Sequence, residues 1–165
     1  MDRGSLRDNR TQAAPVLELP WLTVEVAAYL AIALAALVLR LAGLARWPLL
    51  AEELQTALAA WRGVQGEAWR PAAYVPLLYD AQLLLFGLTR AGDGAARLLP
   101  ALVGAALPLL PLAARDLLGR RGALAASVLL AFCPTWLFMS RTADGTILAA
   151  ACGASLLLMG YRYAR

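Results

Sequence analysis

The sequence predicts an all-α, polytopic transmembrane helical bundle with four spans and with two interfacial helices in the first external loop. Two observations lead to this fold class. Of the 165 residues, 61% are hydrophobic and only 16% are charged, a higher apolar content than that of an ordinary soluble domain. The apolar residues also fall in long blocks, and a bilayer offers backbone N–H and C=O groups no partners outside a helix or a closed barrel.

The basic residues are all arginine: the sequence has 15 of them and contains neither lysine nor histidine. Without histidine, an imidazole base and a histidine-rich metal site are excluded within this sequence. The planar fork of donors in arginine suits phosphate groups. A coding bias toward GC-rich codons would produce the same composition, and from composition alone that explanation is favoured.

The N-terminal residues 1–20 are polar and of mixed charge, which predicts a flexible cytoplasmic tail ahead of a membrane module at residues 21–165. The first span is predicted at about residues 24–44. Arg40 lies within about one turn of the far end of this span, where a long basic side chain can extend to the lipid headgroups.

Three further apolar blocks predict spans, at about residues 98–118, 122–140 and 145–161. Each approaches the roughly 20 residues that a bilayer requires. Pro108 and Pro111 predict a kink in the first of these, and Pro134 predicts one in the second.

A shorter apolar block at residues 74–88 contains Asp80 and is more typical of an interfacial helix than of a span. If this block does not cross the membrane, more arginines lie on the membrane side of the N-terminal tail than on the opposite side. The positive-inside rule then favours four spans in the plasma membrane, both termini in the cytoplasm, and residues 45–97 as one external loop.

The first half of that loop contains Leu54, Leu58 and Trp61 at positions i, i+4 and i+7, with polar residues off this stripe. The spacing predicts an amphipathic helix that lies on the membrane surface.

Acidic residues follow two of the predicted spans on the same outer face: Glu52 and Glu53 after the first, and Asp144 after the third. Carboxylates at such a surface can act as a general base or bind a divalent cation. Structural roles compete with these. The glutamates would complement a helix dipole, Asp144 would cap the last helix, and Arg141 would anchor the chain at the interface. From the residues alone, the structural roles are favoured.

The order of elements is nevertheless similar to that of a known family. It is carried by the runs LRLAGLARWPLLAEELQTALAAWRGVQGE, YVPLLYDAQLLLFGL and ARLLPALVGAALPLLPLAARDLLGRRGALAASVLLAFCPTWLFMSRTADGTIL. Over about residues 37–165 the chain resembles the N-terminal part of the GT-C superfamily of polytopic membrane glycosyltransferases. Protein mannosyltransferases, lipid A aminoarabinose transferases and flippase-associated membrane proteins belong to this group.

The resemblance implies an inverting transferase in contact with membrane lipid. It would move a sugar from a polyisoprenyl-phosphate donor to a protein or lipid acceptor on the outer face, with no nucleic acid partner. The Asp–Glu pair of the family maps onto Glu52 and Glu53, so the longer Glu52 stands where the family has Asp. The second family acid maps onto Asp144. The implied catalytic residues are these three, and Glu52 and Asp144 are also the implied ligands of a divalent cation, which related families use to differing extents.

The substrate-binding residues implied by the resemblance are Arg141, Arg97 and Tyr74, with the two arginines neutralising the departing phosphate. Because the resemblance covers only the first quarter to third of such an enzyme, we expect this chain alone to transfer no sugar. A catalytically inactive membrane scaffold or accessory subunit of the same fold is the alternative. A transporter comes third, because it would need charges within the spans that face a cavity, and the apolar blocks contain none beyond Arg40.

Overall fold

The computed structural model describes residues 24–67, 75–89 and 91–164, and every regular element within these ranges is helical. The predicted tail at residues 1–20 and the candidate residue Tyr74 lie outside the described residues. Three of the helical stretches are long and apolar enough to cross a membrane. The described chain therefore has the architecture of an all-α membrane protein.

The helices follow one another along the chain as α1 (Val24–Leu41), α2 (Ala51–Val64), α3 (Pro76–Leu88), α4 (Asp93–Ala106), α5 (Leu110–Ala113), α6 (Arg115–Phe132), α7 (Pro134–Met139) and α8 (Thr146–Ala164). A 3-10 turn at Leu107–Leu109 joins α4 to α5 into one apolar stretch. The three membrane-length elements are α1, this α4–α5 stretch and α8.

The predicted first, second and last spans are confirmed as membrane-length helices, with shifted bounds. The second begins at Asp93, about one turn earlier than predicted, so that Arg97 lies inside the helix and not at its start. The 3-10 turn coincides with Pro108, as expected for a residue that has no amide hydrogen to donate.

The third predicted span, at residues 122–140, differs from one continuous helix. The backbone leaves helical geometry at Gly119 (φ 69°, ψ 166°), just before this span, and it turns to extended geometry at Cys133 (φ −60°, ψ 122°), inside the span, before α7 begins. The break at Cys133 confirms the kink predicted at Pro134, because proline disfavours helical geometry in the preceding residue. The regular part of α6 after Gly119 is about 20 Å long at 1.5 Å per residue, which is shorter than the roughly 30 Å core of a bilayer.

Polar contacts tie both ends of α1 to α6. Near the start of α1, Glu25 pairs with Arg120 at 2.5 Å. Near its end, Arg40 donates hydrogen bonds to the carbonyl oxygens of Leu130 at 3.1 Å and Ala131 at 3.2 Å. The two helices therefore run side by side in the same direction. Arg40 is completely buried, so the prediction that its side chain extends to the headgroups is wrong.

The two helices of the 45–97 loop, α2 and α3, pack against each other beside the start of α4. Small residues of α2, including Ala57 and Ala60, form the packed face. The predicted stripe of Leu54, Leu58 and Trp61 borders this packed face and is 38–50% exposed. The amphipathic helix is thus confirmed, and its contact with the membrane surface stays a prediction.

The crossing of α4 with its neighbours depends on Gly104. A Cβ atom at this position would lie 2.3 Å from the Cβ atom of Ser140 and 3.1 Å from Nε of Arg40. Atoms cannot approach so closely, and glycine is therefore what allows α4 to lie against both side chains.

We expect Gly104→Ala to destabilise the protein in detergent. Overpacking costs about 1–3 kcal/mol, which exceeds the roughly 0.5–1 kcal/mol that alanine contributes inside a helix. The measurement is the midpoint of thermal unfolding. Gly153→Ala in α8 is the matched control, because no atom lies within 4 Å of a Cβ atom placed there. Equal midpoints for the two variants would contradict this packing.

Candidate functional site

A cavity of about 550 Å³ lies between two segments of the chain. Residues 43–50, which connect α1 to α2, form one wall, and residues 134–142, from α7 and the turn after it, form the other. Leu44, Trp47 and Phe138 are among the apolar residues that line it, and the cavity is of the size that holds small ligands in proteins. We refer to this space as the α1–α7 cavity.

A buried ion pair lies beside this cavity. Arg97 of α4 donates from Nη2 to Oε2 of Glu53 at 2.6 Å and from Nε to Oε1 at 3.2 Å. The side chains are 7% and 2% exposed. The two parallel bonds form the bidentate arrangement in which arginine binds carboxylates most strongly. The pair joins the first turn of α2 to the second turn of α4.

The Glu53 carboxylate uses its full hydrogen-bonding capacity. Besides Arg97, it accepts a bond on Oε2 from the amide of Leu50 at 2.8 Å and one on Oε1 from the amide of Ala143. Its two oxygens have about four lone-pair sites in all, so none is left for a metal ion or a substrate proton. Glu53 therefore holds three segments together, including the turn that carries Asp144.

These contacts change the pKa of Glu53. Burial by itself would raise the pKa, because water no longer stabilises the charge. The hydrogen bonds from Arg97, Leu50 and Ala143 and the positive charge of Arg97 outweigh burial, so the pKa of the Glu53 carboxyl lies below its ordinary value of 4.5. The group stays ionised throughout the neutral range.

Arg97 is saturated as well. Its Nη1 atom donates to the carbonyl oxygens of Leu44 at 3.3 Å and Trp47 at 2.8 Å, and its Nη2 atom donates to that of Pro48 at 3.1 Å. Together with the two bonds to Glu53, these use the five N–H donors of a guanidinium. Arg97 thus shapes the first wall of the cavity and has no donor left for a phosphate group.

Arg141 differs from Arg97. It lines the second wall of the cavity, is only partly buried, and donates from Nη2 to the carbonyl oxygen of Ala42 at 2.8 Å. That is the one hydrogen bond of its side chain to the described residues, and no carboxylate among them pairs with it. A guanidinium with donors to spare therefore adjoins an apolar cavity.

The two remaining acids have different surroundings. Asp144 accepts a hydrogen bond on Oδ1 at 2.6 Å from the amide of Thr146, the first residue of α8. It therefore pairs an amide at the start of this helix from one residue before the N-cap position, which Gly145 occupies. Its Oδ2 atom makes no hydrogen bond to the described residues. Glu52 is exposed in the first turn of α2. The bond from Ala143 to Glu53 brings the segments of Glu52 and Asp144 together.

A metal site is not formed by protein ligands alone in the described part of the chain, where no three acidic, histidine or cysteine side chains cluster. A divalent cation would have at most the two carboxylates of Glu52 and Asp144 there, and such ions take six or more oxygen ligands. Most of its ligands would have to come from water or from a substrate.

Sequence reasoning missed what the buried arginines do. Arg97 was predicted to bind phosphate, and Arg40 to reach the headgroups. A signal was present for each, because both lie next to long apolar runs, where an unpaired charge is costly and a partner is therefore required. Their backbone partners are distant in sequence and follow no pattern along it.

Fold and site together define an α-helical membrane protein with a charged cluster beside an apolar cavity. Comparison with protein-family models, with curated proteins and with solved structures finds no match. The resemblance to the GT-C superfamily therefore remains a prediction from the residues quoted above.

We expect the stability of the protein to fall as the pH drops below about 4.5. The pKa of the Glu53 carboxyl is lower in the folded protein than in the unfolded chain. Such a group stabilises the folded state at pH values above its unfolded-state pKa, and this stabilisation is lost as the pH falls through its folded-state pKa. Glu53→Gln cannot titrate and leaves Arg97 buried without its partner, at a cost of about 3–5 kcal/mol. Its unfolding midpoint should be lower at neutral pH and less sensitive to acid.

The exposed neighbour supplies the control for this experiment. Glu52→Gln should retain both the midpoint and the acid sensitivity of the unchanged protein, since Glu52 makes no hydrogen bond to the described residues. Equal behaviour of the two variants in thermal unfolding across pH would show that the Glu53 network does not stabilise the fold.

Proposed function

We propose that this chain is the N-terminal membrane module of a glycosyltransferase. The enzyme would take a sugar from a polyisoprenyl-phosphate donor and transfer it to a protein or lipid acceptor at the outer face of the membrane. The observation that carries the proposal is the α1–α7 cavity, which is apolar along its walls, has the incompletely paired Arg141 at its edge, and lies where the two acidic segments meet.

The chemistry of the cavity fits an anionic amphiphile. An apolar lining favours a hydrocarbon chain by roughly 25 cal/mol for each Å² buried. A guanidinium with free donors favours a phosphate, and a charge-assisted hydrogen bond of this kind contributes about 1.5–3 kcal/mol. A polyisoprenyl phosphate has both parts in one molecule, whereas a free sugar has neither.

Glu52 is the proposed general base, because it is the acid of the pair that makes no hydrogen bond to the described residues. Its carboxylate would take the proton from the acceptor hydroxyl or amine. The acceptor oxygen or nitrogen then forms the new bond to the anomeric carbon, and the bond from that carbon to the phosphate oxygen breaks on the opposite side with inversion. Arg141 would stabilise the negative charge that develops on the departing phosphate.

The other site residues have positioning roles in this scheme. Asp144 caps α8 with one oxygen and would orient the acceptor with the other. Glu53 and Arg97 have used their hydrogen-bonding capacity on each other and on the backbone, so they would hold Glu52 and the cavity wall in place. A divalent cation would bind between Glu52 and Asp144 with oxygens from the donor, and the steps above do not use one.

For the topology we propose four spans, with α6 and α7 together forming the third. The support is the parallel packing of α6 along α1, in which Glu25 meets Arg120 at one end and Arg40 meets Leu130 at the other. A helix that is bonded near both of its ends to a neighbouring span crosses the same thickness of membrane as that neighbour. This arrangement returns the N-terminal tail and the end of α8 to one side, proposed as the cytoplasm of a plasma membrane.

A catalytically inactive scaffold with the same fold is the second candidate. The saturated Glu53–Arg97 pair favours it, because an acid that the resemblance implies in catalysis and an arginine that it implies in substrate binding are used to hold the chain together. The two candidates differ in one property: a scaffold does not need to bind the lipid-linked donor.

The binding test uses the purified chain in detergent with a fluorescent polyisoprenyl phosphate. We expect saturable binding to the protein. Arg141→Gln should weaken it about 10- to 100-fold, which corresponds to the loss of a charge-assisted hydrogen bond.

Arg46→Gln is the matched control, because Arg46 is an exposed arginine of the same connection and does not line the cavity. A neutral polyisoprenol of equal length tests whether the phosphate is recognised. Equal affinity for the phosphate and the alcohol, or equal weakening by the two variants, would contradict the proposed site and favour the scaffold.

The topology test uses single cysteines in a protein that lacks Cys133 and Cys152. A membrane-impermeant thiol reagent applied to intact cells should label Glu67→Cys and Thr146→Cys. It should label Arg121→Cys only after permeabilisation. In a three-span protein the positions at 121 and 146 would share one side, so equal labelling of these two positions would overturn the four-span proposal.

A further inference from the structure

Arg40 presents an unusual situation for a charged residue. Its side chain is completely buried at the end of α1, and no carboxylate among the described residues pairs with it. It donates hydrogen bonds from Nη1 to the carbonyl oxygens of Ala36 and Ala131, both at 3.2 Å, and from Nη2 to that of Leu130 at 3.1 Å. Two of these three acceptors belong to another helix, α6.

The position of those two acceptors is specific. In an α-helix the carbonyl of residue i accepts from the amide of residue i+4, so the carbonyl of Leu130 would ordinarily bond to residue 134. That residue is Pro134, which has no amide hydrogen. Because the chain becomes extended at Cys133, the carbonyl of Ala131 is also left at the end of the helix. Arg40 supplies a donor to each.

The same placement accounts for the buried charge. The last carbonyls of a helix carry a partial negative charge, which stabilises a cation placed beside them. The guanidinium of Arg40 lies at the end of α6 and takes this position. Gly104 leaves the necessary space, since a Cβ atom there would lie 3.1 Å from Nε of Arg40.

We propose that Arg40 is a positioning residue whose guanidinium replaces the amide that Pro134 lacks, and thereby holds the break between α6 and α7 open. The break directs the chain into α7, which forms the second wall of the α1–α7 cavity. Arg40 itself precedes the first wall, at residues 43–50. One side chain therefore sets the spacing of the two walls. Only the link to donor binding rests on the proposed function.

The first test measures coupling between Arg40 and Pro134 by thermal unfolding in detergent. Arg40→Met should lower the unfolding midpoint, because the carbonyls of Leu130 and Ala131 lose their donors. In a Pro134→Ala background the amide at 134 can bond to Leu130 directly, so the same substitution should lower the midpoint much less. Arg40→Lys, which has one nitrogen in place of the guanidinium group, should lower the midpoint by less than Arg40→Met does. Arg121→Met, which removes an exposed arginine of α6, is the control.

The second test measures the wall spacing and the binding that depends on it. Spin labels at Arg46→Cys and Thr135→Cys, in a protein without its native cysteines, should give one narrow distance distribution. Arg40→Met should broaden it. The double variant with Pro134→Ala should give a narrow but shifted distribution, because the helix can run on through residue 133. Affinity for the fluorescent polyisoprenyl phosphate should fall about tenfold or more in both variants. Stability thus recovers while binding does not.

Two results would overturn the proposal. One is an equal loss of stability from Arg40→Met with and without Pro134→Ala, and the other is an unchanged distance distribution in Arg40→Met. If Arg40→Met alone does not fold, recovery of folding by Pro134→Ala supports the proposal and failure in both backgrounds contradicts it. Should the unchanged protein bind no lipid phosphate, the proposed function fails, while the unfolding and distance measurements still test Arg40.

Discussion

This structure depends on one constraint, which is that the backbone carbonyl groups left without partners at helix breaks must find hydrogen-bond donors. A bilayer supplies no water to pair them, yet the chain interrupts its helices after α1 and between α6 and α7. Three arginine side chains supply donors to such carbonyl groups. Arg40 bonds to carbonyls of α1 and α6, Arg97 to three carbonyls after α1, and Arg141 to one more. The guanidinium suits this task because it has several donors in one plane and no acceptor.

Each buried cation must itself be compensated, and the two that are most deeply placed are compensated differently. Arg97 has a carboxylate, Glu53, which is in turn saturated by two backbone amides. Arg40 has the negative end of α6. Arg141, at the edge of the cavity, is the least engaged of the three. Arg141 therefore has donors with which to bind an external anion, whereas Arg40 and Arg97 give the cavity its shape.

Secondary structure could be predicted to the extent that periodicity and apolar length decide it. The α2 stripe at Leu54, Leu58 and Trp61 indicated the helix and its exposed face, and membrane-length helices were found near the positions expected for the first, second and last spans. The third predicted span was interrupted, because Pro134 removes one hydrogen bond and Arg40, distant in sequence, stabilises the resulting break. The site was predicted less well, since residue type does not distinguish an acid that is free from one whose lone pairs are all used.

Apolar content, block length and proline positions are local properties, and they were enough to indicate a helical membrane protein, most of its helices and the candidate acids. Only the tertiary structure decided that Glu53 is buried against Arg97 while its neighbour Glu52 is exposed. It also brought the turn before Asp144 to the start of α2. The reason is physical. A hydrogen bond between residues about ninety positions apart depends on how helices pack, and no spacing along the chain encodes which carbonyl a given arginine will reach.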